Sequence, residues 1–248
     1  MLPPIFFAPA EDLERETIAL PPDEAKHAVQ VMRLTTGAMV VVVDGLGVAV
    51  RGEIVRIGKG VVEIRPHQTV RDFGEPLVRV TLAAGLSTGG KFDAIVQKGT
   101  ELGIKRFVPL LSGKALAKAD DARRAANRVK RLEKVALAAI KQCRRSFRPE
   151  IALPMTVSDF LKQHDTDTPG LIFHPSESAG RFSSIRLPES PRRLSVMIGP
   201  EAGFSESEVA AAAAVGFHIV SLGRRILRAE TAGPVICALV MDRLGELS

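Results

Sequence analysis

The chain has 248 residues, of which 46% are apolar and 25% charged, a balance typical of a globular protein with one large or two smaller domains. The N-terminus lacks the basic and apolar segments of a signal peptide, and no apolar run approaches the roughly 20 residues that cross a bilayer. We therefore expect a cytoplasmic protein without a membrane span. The formal net charge of +6 is compatible with a polyanionic partner but does not require one.

Residues 1 to about 70 predict a small β-rich module with one helix. Apolar residues at helical spacing follow a proline and two acids, which predicts a helix from Pro22 to Leu34. Between Val40 and Arg65 short apolar segments break at glycines, which predicts antiparallel strands joined by tight turns. The polar segment 71–76 ends this pattern, and we expect a domain boundary after residue 72.

From residue 73 onward, strand and helix patterns alternate. Strands are predicted at 78–85, 106–111, 171–173, 194–198 and 217–222. Helices are predicted at 91–102, from Asp120 to about Gln142, from the S-x-x-E capping box at Ser205 to Gly216, and at 231–244 with Pro234 in the first turn. This alternation favours an α/β fold with a mainly parallel sheet and helices on both faces.

Two glycine-containing segments follow predicted strands and precede predicted helices. They are IGPEAGF at 198–204 and SLGRRILRAET at 221–231. Because loops at the carboxyl ends of parallel strands form the ligand crevice of such sheets, the two segments together predict a site for a flat small ligand. Either segment alone is equally compatible with a structural turn.

Several enzyme classes are disfavoured by missing motifs. The chain has no G-x-G-x-x-G after an early strand, no P-loop and no G-x-S-x-G elbow. Its five histidines and two cysteines lack metal-ligand spacing, so we expect no metal and interpret Cys143 and Cys237 as buried, reduced thiols.

Basic residues crowd the segment 123–148, where Glu133 is the only acid. Such a bias is typical of a solvated helix face or of a surface that binds phosphates, and both interpretations stay open. The residues are Arg123, Arg124, Arg128, Lys130, Arg131, Lys134, Lys141, Arg144, Arg145 and Arg148.

Five segments in this order and spacing carry a family resemblance. They are HAVQVMRLTTGAMVVVVDGLG at 27–47, FDAIVQKGTELGIKRFVPLLS at 92–112, KQCRRSFRPEI at 141–151, MIGPEAGFSESEV at 197–209 and LGRRILRAETA at 222–232. Over nearly its full length the chain resembles the bacterial 16S rRNA uridine-N3 methyltransferase family, of the SPOUT superfamily of trefoil-knotted enzymes that use S-adenosylmethionine (SAM).

The resemblance implies a PUA-like β-barrel for RNA at 1–72 and a SPOUT trefoil-knot domain at 73–248. It also implies a homodimer with each active site near the subunit boundary, and 16S rRNA of the small ribosomal subunit as substrate. The SAM contacts that we expect are Phe173, His174, Ile198, Gly199, Pro200, Glu201, Gly203, Phe204, Ser221, Leu222, Gly223, Arg225, Ile226, Leu227, Arg228, Thr231 and Ala232.

Methylation at N3 requires the uracil N3–H proton to leave, and the resulting negative charge needs a nearby cation. Arg228 is the first candidate and Arg145 the second, with Glu230 as a proton acceptor or as an anchor for that arginine. Alternatively, Arg228 and Glu230 pair only to brace the loop. The expected RNA contacts are Arg33, Lys98, Arg123, Arg124, Arg128, Arg144, Arg145 and Arg148.

The chain departs from the family pattern at three places. Ala202 replaces a glycine of G-P-E-G-G, Ile5 stands where an arginine commonly precedes the aromatic pair, and Arg144 and Ser146 flank Arg145 where the family often has Gly and Asn. Two alternatives therefore stay open: a SPOUT enzyme for tRNA or a 2′-hydroxyl, and a non-catalytic RNA-binding or ribosome-assembly protein.

Overall fold

A computed structural model describes residues 2–58, 60–87, 90–111, 122–176, 179–188 and 191–247. The chain forms two compact units. The N-terminal unit comprises Met1–Glu75 with Leu137–Arg148, and the C-terminal unit comprises Pro76–Ala136 with Pro149–Ser248. The first boundary lies three residues after the expected position, and the return of residues 137–148 to the N-terminal unit was not predicted.

The N-terminal unit is built on a five-stranded sheet with the order β1-β3-β4-β5-β2. Its strands are β1 (Ile5–Phe7), β2 (Ile18–Ala19), β3 (Met39–Val43), β4 (Val48–Gly58) and β5 (Val61–Arg71). The predicted antiparallel pairing is confirmed for β3, β4 and β5. The sequence did not predict β2, which pairs antiparallel with β5, or β1, which runs parallel to β3. The sheet is curled, but its edge strands β1 and β2 do not pair with each other. It is therefore a half-barrel and not a closed barrel.

Two short helices precede β3. They are α1 (Ala10–Leu13) and α2 (Pro22–Lys26), which starts at the predicted proline. The chain continues from α2 through a π-helical turn, His27–Val31, so the predicted helix to Leu34 is regular only in its first part.

Alternating side chains of β3 and β4 enter the core of this unit. Val40, Val42 and Ile54 are fully buried, as is Phe6 of β1. A second apolar group includes Ile140, which packs with Ile5, Val41, Val43 and Ala49. This packing explains why residues 137–148 belong to the N-terminal unit: their apolar side chains are buried there.

The C-terminal unit contains an eight-stranded sheet with the order β11-β13-β10-β12-β6-β7-β8 and β9 beside β7. All its strand pairs are parallel, which confirms the predicted sheet type. The strands are β6 (Arg79–Gly85), β7 (Arg106–Leu111), β8 (Glu150–Ile151), β9 (Met155–Thr156), β10 (Gly170–Phe173), β11 (Gly180–Arg181), β12 (Arg193–Ile198) and β13 (Phe217–Ser221).

Among the described residues, five helices accompany this sheet, together with a 3₁₀ turn at Phe182–Ser184. They are α3 (Lys91–Glu101), α4 (Ala122–Cys143), α5 (Val157–Lys162), α6 (Glu206–Ala214) and α7 (Ala229–Arg243). Side chains of α3, α4 and α7 pack on one face of the strands, and those of α5 and α6 pack on the other. Within the ranges that the structure covers, no helix is long and apolar enough to span a membrane.

The helix ends follow local sequence signals in most cases. The capping box of α6 is confirmed, since Ser205 and Glu208 make both reciprocal hydrogen bonds. The predicted start of α4 at Asp120 lies outside the described residues. Helix α7 begins at Ala229 rather than Thr231, so Pro234 is its sixth residue and lies in the second turn instead of the first.

Candidate functional site

Three neighbouring strands end at one edge of the parallel sheet and enclose a cavity. Strand β10 lies between β12 and β13, and all three are parallel, so their carboxyl ends meet. The loops that follow them, 174–176, 199–204 and 222–228, surround a cavity of about 560 Å³. This volume is within the range of small-molecule sites, and the position is the one that the sequence predicted.

All the expected cofactor contacts except Phe204 and Thr231 line this cavity. Phe204 is only 5% exposed because its ring packs with Met197 and Val209 in the core, and Thr231 is exposed on α7. Neither residue lines the cavity, because the Phe204 ring is buried in the core and the Thr231 side chain is exposed on α7. Six lining residues were not predicted: Lys91, Pro175, Ala202, Val220, Ala229 and Ile236.

The loop 199–204 requires glycine for two different reasons. A Cβ atom at Gly199 would lie 3.1 Å from the Cα atom of Gly203, because the loop closes on itself through a hydrogen bond from the Gly203 amide to the Pro200 carbonyl, at 2.8 Å. Gly203 itself has a φ of +75°, in the left-handed region. Ala202 does not have a positive φ, so the departure from G-P-E-G-G imposes no strained backbone at that position.

The loop 222–228 starts with a turn and ends as the cap of α7. The hydroxyl of Ser221 accepts a hydrogen bond from the amide of Gly223 at 3.2 Å, and Gly223 has a φ of +110°. The carbonyl of Arg228 accepts hydrogen bonds from the amides of Thr231 and Ala232, at 2.9 and 2.7 Å. The backbone of Arg228 therefore begins α7 while its side chain stays exposed at the cavity.

Four charged side chains gather beside the cavity. The ammonium of Lys91, in the first turn of α3, donates a hydrogen bond to Glu201 and lies 3.8 Å from Oε2 of Glu230. None of the other described residues forms a hydrogen bond or an ion pair with the Arg228 guanidinium. The alternative prediction was that Arg228 and Glu230 pair to brace the loop. In the structure Glu230 instead forms an ion pair with Lys91.

Two polar atoms near the cavity make no hydrogen bond to the described residues. Nδ1 of His174 and Oε2 of Glu230 are buried without a hydrogen bond, although Oε2 lies near Lys91. Buried polar atoms without partners are uncommon in folded proteins and indicate groups that a ligand or solvent satisfies. At the same site Ile226 is 86% exposed, an apolar side chain available to cover a flat ring.

Arg145 has a structural position in the N-terminal unit, which corrects its prediction as a catalytic and RNA-binding residue. The residue is 2% exposed, and its guanidinium forms an ion pair with Glu75 at 2.9 Å. Glu75 also accepts a hydrogen bond from the amide of Phe147, at 2.8 Å. A buried guanidinium held by a buried carboxylate presents no surface to RNA or to a uracil.

The other expected RNA contacts keep some exposure. Arg33, Arg123 and Arg124 are exposed, and Arg33 has a strained φ of +54°. Lys98 is half exposed and forms an ion pair with Glu101. Their role in RNA binding stays a prediction, as does that of Arg128, which is half-buried.

Arg144 and Arg148 flank the buried Arg145. Arg144 adopts a φ of +67°, a conformation that suits the glycine common in the family, and its guanidinium donates a hydrogen bond to the carbonyl of Pro3 at 2.9 Å. Arg148 is half-buried. At Ile5, the other departure, the side chain is buried in the core of the N-terminal unit.

Lys91 is the only charged residue among the six lining residues that the sequence did not predict. A signal was present, because a lysine at the first position of a helix opposes the helix dipole, which favours acids there. Its partners, however, are 110 residues away at Glu201 and later still at Glu230. No local pattern connects positions that far apart.

The fold and the cavity define a two-domain α/β protein with a ligand site at the ends of a parallel sheet. Residues 74–241 match the RNA methyltransferase domain, and residues 20–66 match the RNA methyltransferase PUA domain. The chain therefore belongs to the RNA methyltransferase family of SPOUT proteins that includes ribosomal RNA small subunit methyltransferase E. This membership implies a trefoil knot, in which the C-terminal part of the chain passes through a loop. The knot stays a prediction.

Two relatives illustrate the similarity in sequence, and both carry the name ribosomal RNA small subunit methyltransferase E. The protein from Synechocystis is 31% identical over 95% of this chain and 76% of its own length. The protein from Bacillus subtilis is 31% identical over 88% of this chain and 87% of its own length.

A solved structure shows the similarity in fold. The ribosomal RNA small subunit methyltransferase E from Neisseria gonorrhoeae, bound to S-adenosyl methionine, superimposes with a TM-score of 0.84 at 27% identity, and the match covers 98% of each chain.

Proposed function

We propose that this protein transfers a methyl group from SAM to N3 of a uridine in 16S rRNA of the small ribosomal subunit. The observation that carries the proposal is the cavity at the ends of β10, β12 and β13, with the exposed guanidinium of Arg228 at its edge. The family and the SAM-bound relative support the choice of cofactor. We infer a cytoplasmic location, because the proposed substrate is ribosomal RNA.

The residues around the cavity fit SAM in charge and shape. SAM is a zwitterion with a cationic sulfonium, an ammonium and a carboxylate, attached to a flat adenine. Glu201 supplies a carboxylate for its cations, and Arg225 supplies a guanidinium for its carboxylate. The close loop around Gly199 offers backbone groups, and Ile226 offers an apolar surface for the adenine. The unpartnered Nδ1 of His174 gives the ligand one further polar contact.

When bound, SAM supplies an electrophilic methyl carbon on sulfur. The chain's own residues must bind the uracil in line with that carbon and manage the N3 proton, because positioning and proton transfer lower the barrier. Arg228 stabilises the negative charge that develops on the uracil, and its lack of an internal partner leaves it available for this contact. Glu230 accepts the N3 proton, since its Oε2 makes no hydrogen bond to the described residues and lies 3.8 Å from the Lys91 ammonium.

RNA binding draws on cations of both units that are exposed or half-buried. The candidates in the N-terminal unit are Arg33, Arg144 and Arg148, and those in the C-terminal unit are Lys98, Arg123, Arg124 and Arg128. Each phosphate contact contributes about 1 to the steepness with which the logarithm of RNA affinity falls with the logarithm of salt concentration. Replacing a contacting Arg or Lys with Gln is therefore expected to reduce this steepness by about 1.

A homodimer is the expected assembly. Val235 and Leu239 are four residues apart on α7 and are 37% and 38% exposed, which leaves an apolar strip on the outer face of this helix. Two copies that pack these helices together would bury the strip in a C₂ interface. Sedimentation of the purified protein at several concentrations tests this assembly.

The test of the proposed function is methylation with labelled SAM. The protein is incubated with small ribosomal subunits, with free 16S rRNA and with tRNA, and the modified nucleotide is then mapped. We expect label at N3 of a uridine in 16S rRNA. Label only in tRNA or only at a 2′-hydroxyl would refute the substrate, and absence of SAM binding by calorimetry would refute the enzyme.

A further inference from the structure

Lys91 occupies a position that is unfavourable for its own helix. It is the first residue of α3, where the helix dipole is positive and an acidic residue is preferred. The residue before it, Gly90, offers no side chain to cap the helix. A cation at this end is a local conflict, and such conflicts in natural proteins concentrate at functional sites.

The packing of α3 against α7 brings Lys91 to the cavity. Gly233 of α7 faces Ile95 of α3, and a Cβ atom at Gly233 would lie 2.9 Å from Cγ1 of Ile95. The missing side chain therefore allows the two helices to approach closely. As a result Lys91 lies beside Glu230 of α7 and also lines the same cavity as Arg228.

The charges around Lys91 come from every element that packs against it. Glu201 belongs to the loop after β12, and Glu230 and Arg228 belong to the start of α7. On α3 itself Asp93 is one turn further on and forms an ion pair with Arg131 of α4. Lys91, Arg228, Glu201 and Glu230 together carry no net formal charge while both carboxylates are ionised.

We propose that Lys91 is a second catalytic cation, which contacts the target uracil and shares with Arg228 the negative charge that forms when N3 loses its proton. The inference rests on the proposed function, because it assigns the charge to a uracil at this cavity. The two cations and the positive end of α3 point to one region, which is an arrangement that stabilises an anion.

The step is balanced as follows. The N3–H bond breaks and its proton passes to the carboxylate of Glu230, which makes the four-residue cluster cationic as the uracil becomes anionic. The electron pair on N3 forms the new N–C bond to the methyl group, and the pair of the methyl C–S bond leaves with sulfur, which becomes a neutral thioether. Lys91 and Arg228 keep their protons throughout.

The state of Lys91 suits this role. Its hydrogen bond to Glu201 raises the pKa of the ammonium above its ordinary value, even though burial and the nearby Arg228 oppose the shift. The lysine therefore stays charged in the mildly alkaline range where a uracil loses its proton, and it can lower the pH at which the anion forms.

The test compares Lys91→Met with Lys91→Arg, and uses Lys162→Met as the control. Lys162 is an exposed lysine on α5 with an ion pair to Asp159, far from the lysine under test in the chain. Activity on the 16S rRNA substrate is measured as kcat/KM over a range of pH, and SAM affinity is measured separately by calorimetry. A second substrate carries 5-fluorouridine at the target position, whose N3–H is more acidic.

We expect the rate profile of Lys91→Met to move about one pH unit to higher pH, which lowers activity about tenfold at neutral pH. Lys91→Arg is expected to keep the profile because it keeps the cation, and 5-fluorouridine is expected to restore the rate of Lys91→Met. SAM affinity is expected to stay within about twofold of the parent protein, and Lys162→Met to match it in every measurement.

An unchanged profile for Lys91→Met, or no rescue by 5-fluorouridine, would overturn the inference and leave Lys91 as a brace for Glu201. The Glu201→Gln protein separates these roles. If Lys91 only holds Glu201, adding Lys91→Met to this protein leaves the pH profile unchanged. If Lys91 is a catalytic cation, adding Lys91→Met still moves the profile to higher pH. If the parent protein modifies no uridine at N3, the proposed function fails instead, which is a distinct result.

Discussion

The two units differ in how they treat buried charge. In the N-terminal unit Glu75 and Arg145, with side chains only 1% and 3% exposed, satisfy each other. In the C-terminal unit the cavity is flanked by buried polar atoms that make no hydrogen bond to the described residues, namely Oε2 of Glu230 and Nδ1 of His174. Charges with internal partners hold a structure in place, whereas groups without them are available to a ligand.

The largest expected effect is on the stability of the N-terminal pair. Glu75→Gln leaves the Arg145 guanidinium buried without a compensating charge, and we expect the protein to lose about 3–5 kcal/mol of unfolding free energy. Urea denaturation followed by circular dichroism measures the change, because the chain has no Trp or Tyr for fluorescence.

The control for this variant is an exposed ion pair in the same unit. Arg56 and Glu63 connect β4 and β5, and the Arg56 side chain is 64% exposed. Arg56→Met is expected to leave the urea midpoint unchanged, since water replaces the lost contact. Equal shifts for the two variants would show that burial does not distinguish these pairs.

The second effect concerns catalysis at the incomplete site. Arg228→Met removes the cation that faces the substrate, and we expect kcat/KM to fall by about 10²–10³-fold while the urea midpoint is unchanged. Arg193→Met, at an exposed arginine of β12, is the matched control and is expected to retain activity. A fall in stability parallel to the fall in activity would contradict a purely catalytic role.

A third variant alters the shape of the cavity without touching a charge. A Cβ atom at Gly85, the last residue of β6, would overlap the backbone of Pro200 in the loop 199–204. Gly85→Ala must therefore displace that loop, and we expect SAM affinity to fall at least about tenfold, which corresponds to about 1.4 kcal/mol. Calorimetry measures it, with Gly58→Ala as the control because its Cβ meets nothing within 4 Å.

The smallest expected effect compares the two thiols, one in each unit. Burial raises the pKa of Cys237 to about 12, so almost no reactive thiolate forms at mildly alkaline pH. Cys143 is partly exposed. Iodoacetamide is expected to modify only Cys143 in the folded protein and both thiols in urea. Mass spectrometry of the treated protein measures which thiols are modified. Rapid modification of Cys237 without denaturant would contradict its burial.

Much of the fold was predictable because its signals are local. Apolar segments marked β3, β4 and the five longer strands of the parallel sheet, although not the two-residue strands β8, β9 and β11. The capping box at Ser205 marked the start of α6. The site was predictable for a related reason: strands end where glycine loops begin, and in a parallel sheet these ends share one edge. Most residues of the two loops that the sequence indicated do line the cavity.

Other features depend on contacts between distant residues. The sequence grouped Arg145 with the exposed cations of 123–148, because charge density does not reveal burial; its partner Glu75 lies 70 residues away. The return of residues 137–148 to the N-terminal unit was hidden for the same reason, since Ile140 is buried by side chains of β1, β3 and β4.

The sequence by itself determined the longer helices and strands, the two glycine loops and their place at the ends of parallel strands, since period, caps and turns act over a few residues. Only the tertiary structure decided which charged side chains form ion pairs with each other. It paired Arg145 with Glu75 in the core and left Arg228 at the cavity. It also brought Lys91 between Glu201 and Glu230, because the free energy of burying or exposing a charge depends on neighbours that the fold alone assembles.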